Sequence, residues 1–205
     1  MSLPMALMDF LPVGMFLVAA IVLQRDLYNK MSKGAFALFA GGTLTIFIAG
    51  FFKALWKLLY SLQICDFVAL NKTFFPMQTT GFVLAAAGLL ALCLHRQGAH
   101  AAYAIAAVPL YESSMIFVIL MVLGVLAMDG SMLRIAAKRK QPAAVALFAL
   151  SLALTLGMGY LSTRDAASPT LNWVAEGVNL AGQGAFLWAT LLLHRGGLAN
   201  KEALA

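Results

Sequence analysis

The chain has 205 residues, of which 62% are apolar and 11% are charged, with a formal net charge of +6. Soluble globular domains carry about 25% charged residues, so this composition excludes a soluble domain and a disordered chain. It also excludes a nucleic-acid-binding protein, because a basic balance in so apolar a chain is typical of loops facing anionic lipid. The sequence predicts an all-α integral membrane protein with a single membrane domain over residues 1–205.

Six apolar segments are candidates for transmembrane helices, since a helix needs roughly 20 apolar residues to cross the hydrocarbon core. No linker or low-complexity stretch divides them. Pro142 and Pro169 stand where a helix start tolerates a missing backbone N–H. In chain order the predicted spans are Phe10–Leu23, Ala35–Phe52 with a continuation toward Leu62, Phe74–Leu94, about Pro109–Met128, Ala143–Leu161 and about Leu171–Leu193.

The two halves of the chain resemble each other, which predicts a repeat of three helices at about 8–96 and a second at about 109–195. Several features correspond across the halves: Asp9 with Glu112, Asp26 with Asp129, Ala37–Ala40 with Ala146–Ala149, Gly81 with Gly182, and Leu94–Arg96 with Leu193–Arg195. Because each repeat has an odd number of spans, the second copy is expected to enter the membrane from the opposite side. The prediction is therefore two three-helix repeats of inverted topology.

The distribution of Lys and Arg predicts the orientation, since cytoplasmic loops carry an excess of them. With the N-terminus inside, nine basic residues fall on inner segments and five on outer segments. The run Lys138-Arg139-Lys140 contributes most to this excess. Both termini are therefore expected in the cytoplasm, with the protein in a bacterial-type plasma membrane.

The last span carries a polar stripe that includes an acid. Asn172, Asn179, Gln183, Thr190 and His194 lie within about 60° of Glu176 on a helical projection. Burying an acid in hydrocarbon costs roughly 2.5–3.5 kcal/mol, so the stripe is expected to face protein or a polar cavity. Interhelical hydrogen bonding is the structural alternative.

Two further positions extend the predicted binding site. Gln78 in the third span corresponds to Asn179, and Glu112 lies at the outer mouth of the fourth span. The residues predicted to bind a substrate or an ion are Glu176, Asn179, Gln183, Asn172, Glu112 and Gln78.

Other features of the sequence favour structural roles. Lys53 and Lys57, one helical turn apart, are expected to be interfacial anchors, and the acids at span ends are expected to cap or terminate helices. Small residues recur every four positions in the last span and predict close helix packing and a homo-oligomer contact: Gly177, Ala181, Ala185 and Ala189.

These patterns predict a small polytopic transporter or channel. It would move a small cationic or zwitterionic solute through a polar seam at the repeat interface, with the lipid bilayer and the solute as partners and no nucleic acid. An integral-membrane binding or assembly subunit remains an alternative. So does an intramembrane lipid-modifying enzyme that pairs Glu176 with an inner His or Asp, or with Glu112.

The sequence favours no particular catalytic chemistry. Cys65 and Cys93 form no CxxC pair, and HExxH, Walker A and GxSxG motifs are missing from the sequence. No catalytic residue, metal ligand or cofactor is therefore predicted, which weighs against an enzyme without eliminating it.

Overall fold

The computed structural model describes residues 3–94, 114–161 and 169–200, and these residues form eight α-helices with no strand. The helices are α1 (Leu3–Met8), α2 (Phe10–Leu27), α3 (Lys33–Ser61), α4 (Val68–Lys72), α5 (Phe74–Leu94), α6 (Ser114–Lys138), α7 (Pro142–Leu161) and α8 (Pro169–Arg195).

Local chemistry sets several helix ends. The Ser32 hydroxyl accepts a hydrogen bond from the Ala35 amide at 3.2 Å and caps α3. Pro142 opens α7, as the sequence predicts. After α8, Gly197 adopts a positive φ of 76°, and the Leu198 amide donates to the Leu193 carbonyl at 3.0 Å. This is the usual glycine termination of a helix.

Five helical stretches within the described part of the chain are long and apolar enough to span a membrane: Leu3–Leu27, Lys33–Ser61, Val68–Leu94, Ile116–Lys138 and Pro142–Gly159. Helix α8 has 27 residues but carries the polar stripe, and it packs against α7 and α2. The all-α membrane architecture predicted from composition agrees with this bundle.

Helices α2 and α6 run further than their predicted spans, past Leu23 and Met128. Asp26 therefore lies in the last turn of α2 and Asp129 lies well before the end of α6, and the two residues are only 2% and 4% exposed. Helix α3 likewise runs without a break to Ser61, so the continuation toward Leu62 is confirmed. The two carboxylates do not end their helices, because each lies on the side that packs into the bundle.

Helix α3 is antiparallel to both α2 and α5. Tyr28 packs edge-on against Phe36 at one end of the α2–α3 pair, and Phe10 packs against Phe51 toward the other. Between α3 and α5, a Cβ at Gly42 would lie 2.6 Å from the Gly81 carbonyl oxygen, and a Cβ at Gly88 would lie 2.6 Å from the Ala35 carbonyl oxygen. The later residue of α5 thus meets the earlier residue of α3. The sequence predicts this up-and-down order for the first three spans.

Helices α5 and α6, in contrast, run in the same direction. Near their starts, the Thr79 hydroxyl donates to the Phe117 carbonyl at 3.1 Å. Near their ends, the Cys93 side chain lies beside the Ser131 side chain. Contacts that join start to start and end to end define a parallel pair.

Helices α2 and α8 are also parallel. The Phe16 and Phe186 rings stack with centroids 6.0 Å apart. Toward the ends of both helices, His194 Nδ1 lies 3.0 Å from the Asp26 carboxylate. We call the end of the bundle where α2 begins the Asp9 end, and the opposite end the Asp26 end.

The inverted topology predicted from the odd number of spans is therefore wrong. Helix α7 runs antiparallel to α8, because Gln141, just before α7, lies beside Gly196, just after α8. Helices α2, α5, α6 and α8 therefore point one way while α3 and α7 point the other, so the two trios α2–α3–α5 and α6–α7–α8 have the same orientation. The prediction assumed that the chain stays on one side of the membrane between the third and fourth spans. Instead, α5 ends at the Asp26 end and α6 begins at the Asp9 end.

The same directions correct the predicted placement of the termini. Leu3 lies at the Asp9 end, where α2 begins, and Asn200 follows α8 at the Asp26 end. Because α2 and α8 run in the same direction, the start of α2 and the end of α8 cannot lie on the same side of a membrane. The first and last described residues therefore lie at opposite ends of the bundle, in contrast to the expectation of two termini on one side.

One pair of glycines that correspond across the halves makes comparable contacts. A Cβ at Gly81 would touch Gly42 and Ile46, and a Cβ at Gly182 would touch Ser151 and Thr155. The match of Ala37–Ala40 with Ala146–Ala149 pairs Gly42 with Ser151 and Ile46 with Thr155. The two predicted correspondences therefore agree with each other at this contact.

Candidate functional site

A buried group of three charged side chains lies at the Asp9 end. Lys57 Nζ is 2.5 Å from Asp9 Oδ1 and 3.6 Å from Glu176 Oε2. The side chains of Lys57, Asp9 and Glu176 are 14%, 10% and 8% exposed. We call these three residues the ion cluster.

Three different helical segments supply the ion cluster. Asp9 stands at the junction of α1 and α2, Lys57 near the end of α3, and Glu176 in the second turn of α8. One turn before Lys57, the Lys53 ammonium lies 4.0 Å from the centroid of the Phe74 ring, within the range of a cation–π interaction. The cluster thus joins both trios, and Lys53 adds a second positive charge beside it.

The two lysines and Asp9 were expected to have structural roles only. Lys57 is not a free interfacial anchor, since it pairs with two carboxylates, and Asp9 bonds across to α3 rather than only ending a helix. The one signal in the sequence was the spacing of Lys53 and Lys57 in an otherwise apolar segment. The partners of Lys57, which are Asp9 and Glu176, lie 48 and 119 positions away in the chain, so no local sequence pattern indicates them.

Several buried polar atoms near α8 have no hydrogen-bond partner among the described residues. They are Asp9 Oδ2, Glu176 Oε1, Gln183 Oε1 and Thr190 Oγ1. Glu176, Gln183 and Thr190 are spaced by seven residues and therefore share one face of α8. We call Asp9, Glu176, Gln183 and Thr190 the seam.

A second polar contact between the trios lies at the Asp26 end. Both carboxylate oxygens of Asp26 lie 3.0 Å from His194 Nδ1. Two residues before Asp26, the Gln24 side-chain amide donates to the Thr43 hydroxyl of α3 at 2.8 Å, a contact within the first trio. The face of α8 that carries the seam therefore meets charged partners at both ends.

Glu176 and His194 belong to separate clusters. Eighteen residues of helix separate them, or roughly 27 Å at 1.5 Å per residue. The acid–base pair considered for an intramembrane enzyme is therefore not formed by these two residues. Asp9 is the carboxylate that lies beside Glu176, sharing Lys57 with it.

The structure brings some of the six predicted binding residues together. Glu176 is buried in the ion cluster, and Gln183 is half-buried with its carbonyl oxygen in the seam. Asn179 and Asn172 are half-buried on the same helix.

The other two predicted binding residues, Gln78 and Glu112, come from spans other than the last. Gln78 is half-buried on α5, where its neighbour Thr79 makes the bond to α6. Glu112 lies outside the described residues.

The small-residue stripe of α8 does not form one exposed face. Ala185 and Ala189 are buried inside the bundle, whereas Gly177 and Ala181 are exposed. A four-residue spacing drifts by about 40° per step around a helix, so the stripe turns from the outside into the core. Only Gly177 and Ala181 remain accessible for the predicted homo-oligomer contact.

Metal-binding chemistry has no candidate in the described ranges, where no three His, Cys, Asp or Glu side chains are grouped to hold an ion. Comparison with known proteins adds no assignment: no protein-family profile, curated protein or solved structure matches the chain. The functional argument therefore rests on the ion cluster and the seam.

Proposed function

We propose that this protein is a small membrane transporter or channel that moves a solute bearing a cationic group along the seam between its two trios. The supporting observation is the ion cluster, in which Asp9 and Glu176 share Lys57 while each keeps a buried oxygen without a described partner. A small monovalent cation, or the ammonium group of a zwitterion, is the chemistry that such oxygens bind.

The seam is rich in acceptors, which favours solutes that donate hydrogen bonds. Carboxylate and amide carbonyl oxygens accept only, and the Thr190 hydroxyl can accept as well as donate. An ammonium group has three donors and can compete with Lys57 for the same carboxylates. Because Lys57 and Lys53 balance the two acids, a zwitterion is favoured over a multiply charged cation.

The two polar contacts between trios support alternating access as the mechanism. Glu176 joins α8 to α3 through Lys57 at the Asp9 end, and His194 joins α8 to α2 through Asp26 at the other end. Transporters built from repeats typically move one repeat against the other around a site at their interface. In this proposal, solute binding at Glu176 releases Lys57 and opens the Asp9 end while the Asp26–His194 contact stays closed.

We further propose that the Asp26 end faces the cytoplasm of a bacterial-type cell. Of the described basic residues, Lys53, Lys57 and Lys72 lie at the Asp9 end, and eight lie at the Asp26 end: Arg25, Lys30, Lys33, Arg134, Lys138, Arg139, Lys140 and Arg195. By the positive-inside rule, the N-terminal side of α2 then lies outside. Cysteine accessibility at the exposed native Cys65, with an impermeant reagent on intact cells, tests this orientation: protection of Cys65 would reverse it.

Liposome flux of the full chain tests the transport proposal. Labelled potassium, protons and a zwitterionic amino acid are followed for wild type, Glu176→Gln and Asp9→Asn. Asp66→Asn is the matched control, because Asp66 is an exposed acid at the same end whose bond from Trp56 an amide oxygen can still accept. We expect flux of at least one solute in wild type and in the control, and its loss in both cluster variants.

Two other outcomes would overturn the transport proposal. If Glu176→Gln and Asp9→Asn conduct like wild type, the cluster is only a structural link. If wild type moves none of the solutes while Glu176→Gln loses an oligomer or a copurifying partner on native mass spectrometry, the chain is an assembly subunit. Retention of fold is checked by circular dichroism for every variant.

A further inference from the structure

A shallow cleft outside the seam, of about 20 Å³, lies between the last turns of α5 and α6 at the Asp26 end. Its lining combines Leu92 and Cys93 of α5 with Arg134, Ile135 and Lys138 of α6. The two helices are parallel and meet closely further along, where a Cβ at Gly124 would lie 2.9 Å from Phe82 Cβ. The cleft therefore has one charged wall and one largely apolar wall.

The cations of this cleft are available for a ligand. Arg134 and Lys138 are one helical turn apart, so their side chains share a face of α6, and both residues are exposed. Within the part of the chain that is described, neither makes an ion pair with a carboxylate. The closest acid along α6, Asp129, is buried in the bundle.

Positive charge is concentrated throughout this end of the bundle. Eight of the described basic residues lie here, against the buried acids Asp26 and Asp129. Partial burial and the neighbouring Arg139 guanidinium lower the pKa of Lys30, although Asp26 opposes the shift. Such a surface attracts anionic headgroups.

We propose that Arg134 and Lys138, at the mouth of this cleft, bind the phosphate of an anionic phospholipid. The guanidinium and the ammonium hold the phosphate oxygens, since Arg and Lys are the usual phosphate-binding side chains. Leu92 and Ile135 provide apolar contact where the acyl chains begin. A lipid fits this lining better than a soluble anion, because the cations stand at the ends of membrane-spanning helices. The site does not depend on the solute that the seam carries.

Native mass spectrometry of the purified full chain tests this site, using phosphatidylglycerol and phosphatidylcholine as probes. The variant Arg134→Gln with Lys138→Gln removes both cations of the cleft. The matched control, Arg25→Gln with Lys33→Gln, removes the same two residue types from exposed positions at the same end. Because each of the two cations is expected to make a direct charge-assisted hydrogen bond to the phosphate, we expect roughly hundredfold weaker phosphatidylglycerol binding in the first variant.

The control variant should bind phosphatidylglycerol to within a few-fold of wild type, and phosphatidylcholine should bind weakly to all three proteins. Equal losses in both variants would show diffuse attraction to the charged end, and no loss in either would remove the site; both results overturn the proposal. So would displacement of the lipid by millimolar inorganic phosphate, which would identify a soluble-anion site. Glu176→Gln is expected to retain the lipid, which separates this test from that of the seam.

Discussion

Replacing Gly42 with alanine is expected to force α3 and α5 apart. An added Cβ would lie 2.3 Å from the Ala85 backbone nitrogen, 2.6 Å from the Gly81 carbonyl oxygen and 2.9 Å from the Ala85 Cα. The first distance is 1.1 Å short of the 3.4 Å at which ordinary contact begins. All three atoms belong to the backbone of α5, so no side-chain rotation can relieve the overlap.

Overpacking of this kind costs about 1–3 kcal/mol, and backbone contact places Gly42→Ala near the upper value. A loss of about 3 kcal/mol lowers the ratio of folded to unfolded protein by on the order of a hundredfold. Unfolding by SDS in mixed micelles, followed by circular dichroism, measures the difference.

The adjacent glycine provides the control. A Cβ at Gly41 would meet no atom within 4 Å, and alanine is the better helix former by about 0.5–1 kcal/mol. Gly41→Ala should therefore be as stable as wild type or slightly more stable. If Gly42→Ala unfolds at the same SDS fraction as Gly41→Ala, the close α3–α5 contact described above is wrong.

Three further predictions follow from the contacts. Gly182→Ala should cost less than Gly42→Ala in the same SDS titration, because its Cβ would lie 3.3 Å from the Leu154 Cβ, which a small shift relieves; an equal cost would contradict the contact. Lys57→Met should destabilise the protein by about 3 kcal/mol, because it leaves two buried carboxylates without their cation. As the control, Lys72→Met at an exposed position should change the free energy of unfolding by less than about 0.5 kcal/mol. Equal stability of the two variants would refute the ion cluster. In a protein that also carries Cys65→Ser and Cys93→Ser, cysteines at Thr79 and Phe117 should form a disulfide under mild oxidation. Cysteines at Thr79 and Met132 should not. The reverse pattern would show that α5 and α6 are antiparallel.

The positions of the helices could be predicted largely from hydropathy. Predicted spans such as Phe74–Leu94 and Ala143–Leu161 lie within about a residue of α5 and α7, because the length of a membrane helix is set by bilayer thickness. Errors arose where an acid was treated as a helix end. Asp26 and Asp129 are tolerated inside helices because the bundle, and not lipid, surrounds them.

Helix direction could not be predicted in the same way. Counting spans predicts the direction of α6 only on the assumption that α6 begins on the side of the membrane where α5 ends, and this one assumption sets the direction of the whole second trio. The similarity between the halves gives no direction, since Gly81 and Gly182 would correspond equally well in either arrangement. Only contacts such as Thr79 with Phe117 determine it.

The candidate site was predicted in part. An acid on the most polar membrane helix has few tolerable environments, so Glu176 could be singled out from α8 alone. Its partners Asp9 and Lys57 come from other helices, and their meeting depends on how α2, α3 and α8 pack. Helical periodicity orders side chains on one helix but does not indicate which helix lies opposite.

The common orientation of the two trios bears on how such a chain could arise. Inverted repeats require an ancestral unit able to insert both ways round, with little charge difference between its ends. Here each half carries its own basic residues at the same end: Arg25, Lys30 and Lys33 in the first, and Arg134, Lys138, Arg139, Lys140 and Arg195 in the second. By the positive-inside rule, each half on its own favours the same direction of insertion. The charge differences of the two halves therefore add instead of cancelling.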